Sequence, residues 1–242
     1  MVLILTCNIL LFPILYLGRI MANRNPIKTI YVIRHGQTQG NTEGYWLGAR
    51  SIDELNEYGK KQARDNALTL EGKNLNASKL FSSPTRRALQ HAEILQKRLN
   101  LAIEQLHSLT EINLGILEDR SRKEGLILVP DEVNDWETNL RNFEPPLGES
   151  AVEASERFYE IVELIAQHYQ RPDIVILSHG VVIKLFLARV LKASIETGET
   201  KIKVPWTTHG SITVVKYDGQ AFKFMEVIEN RYPDSEQVAK FG

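Results

Sequence analysis

The 242 residues hold a single cysteine, Cys7, so no intramolecular disulfide can form. Nothing beyond the N-terminal segment needs an oxidising compartment, which fits a cytoplasmic location. Charge of either sign is not in excess: 29 Lys and Arg stand against 30 Asp and Glu, a formal net charge of −1. Without an overall basic field, nucleic acid is not expected as a partner. The chain has no Gly-x-x-x-x-Gly-Lys-Ser/Thr loop and no Gly-x-Gly-x-x-Gly turn after a strand. It also lacks a Gly-x-Ser-x-Gly elbow and a His-Glu-x-x-His spacing. These absences argue against a P-loop, a dinucleotide fold, a serine hydrolase of that type and a zinc site of that pattern.

Charged side chains are absent from Met1 to Gly18, a stretch rich in Leu and Ile. It is short for a spanning helix and Pro13 falls inside it. It has no basic leading region and no small-residue cleavage site, so it reads poorly as a secretory signal. Two readings of residues 1–24 remain. Either the segment is a membrane anchor, in which case Arg19, Arg24 and Lys28 keep the following domain cytoplasmic, or translation starts at Met21. The second is preferred, and membrane contact is expected only if residues 1–18 are retained.

What is present is an ordinary globular composition, 43% apolar and 24% charged, in a chain long enough for one sizeable core. Its most informative feature is a β-branched run, Ile30-Tyr31-Val32-Ile33, that stops at Arg34-His35-Gly36. A second run, Ile174-Val175-Ile176-Leu177, stops in the same way at Ser178-His179-Gly180. Continuous apolar runs of this length read as buried parallel strands. Open α/β sheets bind ligands just beyond the carboxyl ends of such strands. Two histidines and an arginine delivered to one rim therefore suggest an anion site.

The rest of the chain alternates strands and helices. Asn56 reads as the N-cap of a helix toward Leu70, and Lys79-Leu80-Phe81-Ser82 as a short strand. Ser83 as cap and Pro84 at the first helical position open a helix to about Leu99, and Ala102–Leu106 reads as a strand. Residues 110–148 carry Pro130, Pro145 and Pro146 with no clean period, which suggests an inserted cap at about 115–147. Ser150 to Glu153 form a capping box ahead of an amphipathic helix bearing Phe158, Ile161, Val162 and Ile165. Ser211–Tyr217 and Ala221–Ile228, joined at Asp218-Gly219, read as a hairpin. The pattern predicts a three-layer α/β/α sandwich on a mainly parallel sheet, one domain over 25–232 with a tail at 233–242.

A phosphoryl group needs planar cationic donors around its oxygens. Arg34 adjoins His35, and Arg87 starts a helix that follows a strand and can reach the same rim. Gly180 opens a helix whose backbone N–H groups can face an anion, and Asn41 and Thr38 add neutral donors. With no serine elbow or metal motif, a histidine nucleophile is the remaining route, and neutral imidazole can attack phosphorus.

Read in order, five blocks of this chain resemble the histidine phosphatase superfamily, also called the phosphoglycerate mutase-like family. They are Arg34-His35-Gly36-Gln37-Thr38-Gln39-Gly40-Asn41, then Ser82-Ser83-Pro84-Thr85-Arg86-Arg87-Ala88-Leu89-Gln90, then Leu109-Thr110-Glu111-Ile112-Asn113-Leu114-Gly115-Ile116-Leu117-Glu118. Pro146-Leu147-Gly148-Glu149-Ser150 and Ser178-His179-Gly180 complete the set. The resemblance implies His35 as nucleophile, with Arg34, Arg87 and His179 as the phosphate pocket and Glu111 as proton donor. Asn41, Thr38, Gly48 and Gly180 are the implied substrate contacts. No metal or other cofactor is implied, because two arginines and a second histidine supply the positive charge. Tyr45 stands where the family pattern often has an arginine, His91 where Thr is common, and Asp119 where Gly is frequent. The expected activity is hydrolysis of a small phosphorylated metabolite through a phosphohistidine. The alternative is phosphoglycerate mutase activity, disfavoured by the loss of a cation at Tyr45. Arg86 is expected to be a solvated helix residue. Glu118 is open between site support and a structural role, and His209 is a candidate support.

Overall fold

Alternate residues of two central strands face opposite layers of helices. β1 (Lys28–Arg34) and β4 (Asp173–Ser178) are parallel neighbours, with Ile30 opposite Ile174 and Arg34 opposite Ser178. Ile30, Val32, Ile174 and Ile176 enter one core, and Tyr31, Ile33, Val175 and Leu177 enter another. Burial on both faces is why these strands read as unbroken apolar runs. The computed structural model describes residues 26–193, 204, 205 and 207–234. Cys7, the Met1–Gly18 segment, the Met21 start and residues 235–242 of the tail lie outside the described residues.

The sheet has six strands in the order β3-β2-β4-β1-β5-β6. β2 (Lys79–Ser82) pairs in parallel with β3 (Ala102–Gln105) and with β4. β5 (Ile212–Tyr217) runs antiparallel to β1 and to β6 (Phe222–Ile228), which closes the sheet with the expected hairpin. A short helix α1 (Gln39–Glu43) follows β1, and the longer α2 (Glu57–Glu71) and α3 (Arg86–Leu99) cover one face through Ala67, Leu70, Ala92 and Leu95. α6 (Ala151–His168) and α7 (Gly180–Leu191) cover the other through Phe158, Val162, Val182 and Phe186. This is the three-layer α/β/α sandwich the sequence predicts.

Asn56 caps α2 by accepting from the Gly59 N–H, and Ser150 and Glu153 form their capping box on α6. Two local expectations are corrected. α1 lacks a long apolar pattern and escapes sequence reading, although Thr38 and Asn41 give it a complete capping box. α3 starts at Arg86 with Thr85 at the N-cap position, not with Ser83 and Pro84 inside the first turn. The Ser83 hydroxyl is instead used by His179, at 2.8 Å.

The segment expected as a cap is mostly helical. Two short helices, α4 (Arg122–Leu128) and α5 (Pro130–Thr138), sit between single 3₁₀ turns. Trp46, Trp136 and Phe143 join it to the main core, with ring centroids 5.0 Å apart for the tryptophan pair and 4.8 Å for Trp136 and Phe143. Among the described residues no helix is long and apolar enough to cross a membrane.

Candidate active site

Because β1 and β4 are adjacent and parallel, His35 and His179 leave the sheet at the same edge, and their ring centroids lie 5.0 Å apart. His35 Nδ1 lies 2.7 Å from the Gly36 carbonyl, which can only accept. The proton is therefore on Nδ1, and Nε2 carries the free electron pair. Arg87 Nε donates to that Nε2 at 3.1 Å. Burial, then the positive charge of Arg87, pushes the His35 pKa well below the ordinary 6.5. The imidazole is neutral at neutral pH, the form that can act as a nucleophile.

Under His35 lies a histidine with no role assigned from sequence. His91 is fully buried, and its Nδ1 accepts the Gly36 N–H at 3.1 Å, fixing the turn that carries His35. Burial alone brings it to about 3. That accounts for a histidine where the family pattern commonly has Thr.

Two buried guanidiniums flank His35. Arg87 has no exposed surface and is oriented by the carbonyls of Gly48 at 2.9 Å and Leu47 at 3.2 Å. Arg34 donates to the Thr207 carbonyl at 2.6 Å and to His209 Nε2 at 2.7 Å. Burial lowers Arg34 to about 10, against the pull of Asp234 and Glu111, so it stays cationic at neutral pH. His179 is held through Nε2 by Ser83, while its buried Nδ1 has no partner among the described residues. The Nε2 atom also lies 3.3 Å from the Thr85 hydroxyl, and a hydroxyl can donate to or accept from the ring, so these contacts fit either tautomer.

Glu111 lies at the start of α7, on the far side of the cleft. Its Oε2 accepts the Val181 N–H at 3.0 Å, and its Oε1 accepts those of Val182 at 3.1 Å and Ile112 at 2.9 Å. Burial raises its pKa above the ordinary 4.5, although these three N–H groups and Arg87 pull the other way. A raised carboxyl facing a pocket of cations is suited to proton donation.

The expected substrate contacts divide. Asn41 lines the cleft with Arg34, His35 and Glu111, and Thr38 holds its Oδ1 through the backbone N–H at 3.1 Å and the hydroxyl at 2.8 Å. The amide N–H₂ is then the end left for a ligand. Thr38 itself is fully buried and acts on Asn41 rather than on the cleft. Gly48 supports Arg87 through its carbonyl, and a side chain there would collide with Glu118. Gly180 lines the cleft, but the helix N–H groups behind it go to Glu111 instead of facing an open anion site. Glu118 accepts the N–H groups of Gly48, Arg50 and Leu114, so its role is structural. Arg86 pairs with Glu54 at the surface, as expected. His209 does support the site, with Asp234 behind it at 2.7 Å. Sequence reading missed Asp234, which nothing near it in the chain distinguishes. Among the described residues no group of three or more His, Cys, Asp or Glu is placed to hold a metal.

Two histidines just beyond parallel strand ends, two buried arginines and a buried carboxyl at the edge of a three-layer sandwich fit a phosphoryl-handling α/β protein. The sequence pattern of the histidine phosphatase superfamily (branch 1) matches residues 30–230, and the chain belongs to that family. It is 29% identical to a probable phosphoglycerate mutase GpmB of Escherichia fergusonii, over 67% of this chain and 74% of that one. It is also 29% identical to a metal-independent phosphoserine phosphatase of Arabidopsis thaliana, over 69% of this chain and 71% of that one. Against the human 6-phosphofructo-2-kinase/fructose-2,6-bisphosphatase 3 the identity is 28%, and the chain spans only 34% of that longer protein. Among solved structures, Bacillus stearothermophilus YhfR superimposes with a TM-score of 0.72 at 26% identity, covering 87% of this chain and 99% of that one.

Proposed function

We propose that this protein is a phosphomonoesterase that hydrolyses a small phosphorylated metabolite through a phosphohistidine on His35. The observation that carries the reading is the neutral His35 imidazole, protonated on Nδ1 by its bond to Gly36 and directed through Nε2 toward Arg87. In the first step Nε2 attacks phosphorus, the ester P–O bond breaks, and Glu111 gives its proton to the departing oxygen. In the second, the Glu111 carboxylate takes a proton from water, which attacks phosphorus and releases inorganic phosphate from Nε2. Arg34, Arg87, His179 and Asn41 hold the equatorial oxygens, where charge accumulates in a loose transition state. The arginines supply the positive charge that a metal ion would otherwise bring. Membership of a phosphatase family and the likeness to a metal-independent phosphoserine phosphatase support this reading. The single cysteine supports a cytoplasmic setting, and with residues 1–18 retained as an anchor Arg19, Arg24 and Lys28 favour the same side.

A second reading rests on the likeness to the probable phosphoglycerate mutase. There the phosphoryl group returns from His35 to another hydroxyl of the substrate instead of passing to water. A metabolite phosphatase screen with His35→Ala as the blank tests the first reading, with acid-labile ³²P on His35 as the expected intermediate. Turnover by His35→Ala equal to the parent overturns it. Interconversion of 2- and 3-phosphoglycerate without phosphate release favours the mutase. EDTA is expected to leave the rate unchanged; loss restored by a divalent ion rejects the metal-independent route.

A further inference from the structure

The block Pro146-Leu147-Gly148-Glu149-Ser150 takes no part in the phosphoryl chemistry described above. Glu149 directly precedes Ser150, the N-cap of α6, and Arg157 stands about two turns further along the same helix. Their side chains meet as a fork, Nε to Oε1 at 2.7 Å and Nη2 to Oε2 at 2.8 Å, and neither residue lines the cleft that holds His35. The pair reaches instead for the segment that carries Glu111. Arg157 Nη1 donates to the carbonyls of Ser108 at 2.9 Å and Thr110 at 3.1 Å, and Nη2 donates more weakly to that of Glu111 at 3.4 Å. On the other side of Glu111, Asn113 and Glu149 are joined twice. The Glu149 N–H donates to the Asn113 carbonyl at 2.8 Å, and Glu149 Oε2 accepts the Asn113 N–H at 3.3 Å.

Residues 110–114 lie outside any helix or strand, so no regular ladder fixes their backbone. Glu111 is therefore anchored at two ends. Its carboxyl oxygens accept the N–H groups of Val181 and Val182 on α7, and its backbone is gripped by the pair at the start of α6. An acid must meet the departing oxygen within about 2.6–3.2 Å, and a shift of about 1 Å can lower a rate by about 10²-fold. We propose that Glu149 and Arg157 are positioning residues for the reaction, clamping the backbone of residues 108–113 so that the Glu111 carboxyl reaches the leaving oxygen. This rests on the phosphatase reading, in which Glu111 is the proton donor. The two side chains are partly buried, so water screens the pair incompletely. The guanidinium also serves several acceptors that a point charge could not hold at once.

Two conservative variants of the full chain test it. Glu149→Gln keeps the size and breaks the charged fork, and Arg157→Lys keeps the charge and loses the reach to Ser108 and Thr110. Phosphorylation of His35 is followed by rapid quench with an alkyl phosphate and with an activated aryl phosphate. Both variants are expected to slow the alkyl reaction about tenfold to a hundredfold and the aryl reaction less than about threefold. Neither should add a further alkyl defect to Glu111→Gln, because a misplaced acid and an absent one fail at the same step. A loss of folded protein lowers the two reactions alike, so equal losses overturn the proposal, as does an unchanged alkyl rate in either variant. Each variant decides alone, so an insoluble one leaves the test to the other. The reading beneath is judged by Glu111→Gln by itself. Equal alkyl and aryl losses there remove Glu111 as the acid and reject both, whereas a selective loss there without one in the clamp variants rejects only the clamp.

Discussion

Arg34 and His209 share a 2.7 Å hydrogen bond although 175 positions separate them, and His209 passes the interaction to Asp234 through a second bond of 2.7 Å. The roles of the atoms are determined. The Asp234 carboxylate accepts from His209 Nδ1–H, so His209 Nε2 is free to accept from the guanidinium. Burial works to raise Asp234, but the bonds from His209 and the charge of Arg34 prevail and hold it at about 2. Asp234 also accepts from the side-chain amide of Gln37, next to the His35 turn, at 3.2 Å.

Asp234→Ala should therefore loosen Arg34 without touching the substrate. Buried hydrogen bonds to charged groups are worth about 1.5–3 kcal/mol, and thermal unfolding should fall by that order. Activity is expected to drop at least tenfold, with weaker vanadate inhibition in parallel. A lower melting point with unchanged vanadate affinity would mean that the pair serves the fold alone.

Arg87→Lys keeps the charge and loses the fork. Arg87 contacts His35 through Nε and two loop carbonyls through Nη2, and a single ammonium cannot make these contacts together. Losing one aligned donor of this kind lowers kcat by about 10²–10³-fold. Near-normal kcat/KM in this variant would put Arg87 outside the pocket.

Gly180→Ala probes space rather than charge. A Cβ there would lie 2.9 Å from the Arg34 guanidinium carbon, the far end of a flexible side chain. Arg34 is buried and held by Thr207 and His209, so displacing it strains those bonds. A drop in kcat of tenfold or more is expected, with a lower melting point of the order foreseen for Asp234→Ala. A stable variant with full activity would show that the position of Arg34 is not critical.

Glu111→Gln retains size and loses the proton. General acid catalysis is worth about 10²–10⁴-fold where the leaving oxygen is basic. Rapid-quench phosphorylation should fall steeply for alkyl phosphates and much less for an activated aryl phosphate. Equal losses on both would remove Glu111 as the acid.

Acid should destabilise the fold before any carboxylate pair titrates. His35, His91, His179 and His209 are all held below 6.5 by burial first, with His209 at about 4 and His91 at about 3. Below pH 6.5 the unfolded chain takes up protons that the folded chain refuses, so stability is complete above that pH and drains as the pH falls. Each histidine contributes up to about 1.4 kcal/mol per pH unit. Glu111, held above 4.5, works in the opposite sense and offsets one of them. Urea midpoints measured from pH 7.5 to 4.5 should fall steadily, and a flat profile would contradict the neutral burial of these rings.

The parts of this site legible in sequence are those that the chain writes locally. A strand that ends in Arg34-His35-Gly36 needs only its apolar run to be placed, and β4 with His179 repeats it. Asn56 and Ser150 were readable as caps because capping is a contact over three residues. Ser83 misled because its hydroxyl bonds a histidine 96 positions away instead of its own helix. Thr38 and Gly48 read as substrate contacts because a residue type alone does not reveal whether it faces a ligand or a ligand's neighbour. Asp234 comes from a segment without local periodicity, and its relevance arises only when distant backbone meets.

The strand order has a consequence for how activity is acquired after synthesis. His35 and His179 directly follow β1 and β4, central strands from opposite halves of the chain, and β1 is closed on its other side by β5. Such long-range pairing is slow, because loop closure must precede any reward from contacts. This two-histidine rim therefore cannot be complete in a nascent chain that has not yet released β5, nor in one whose C-terminal hairpin is undocked. Regain of turnover during refolding is expected to lag behind the recovery of helical signal.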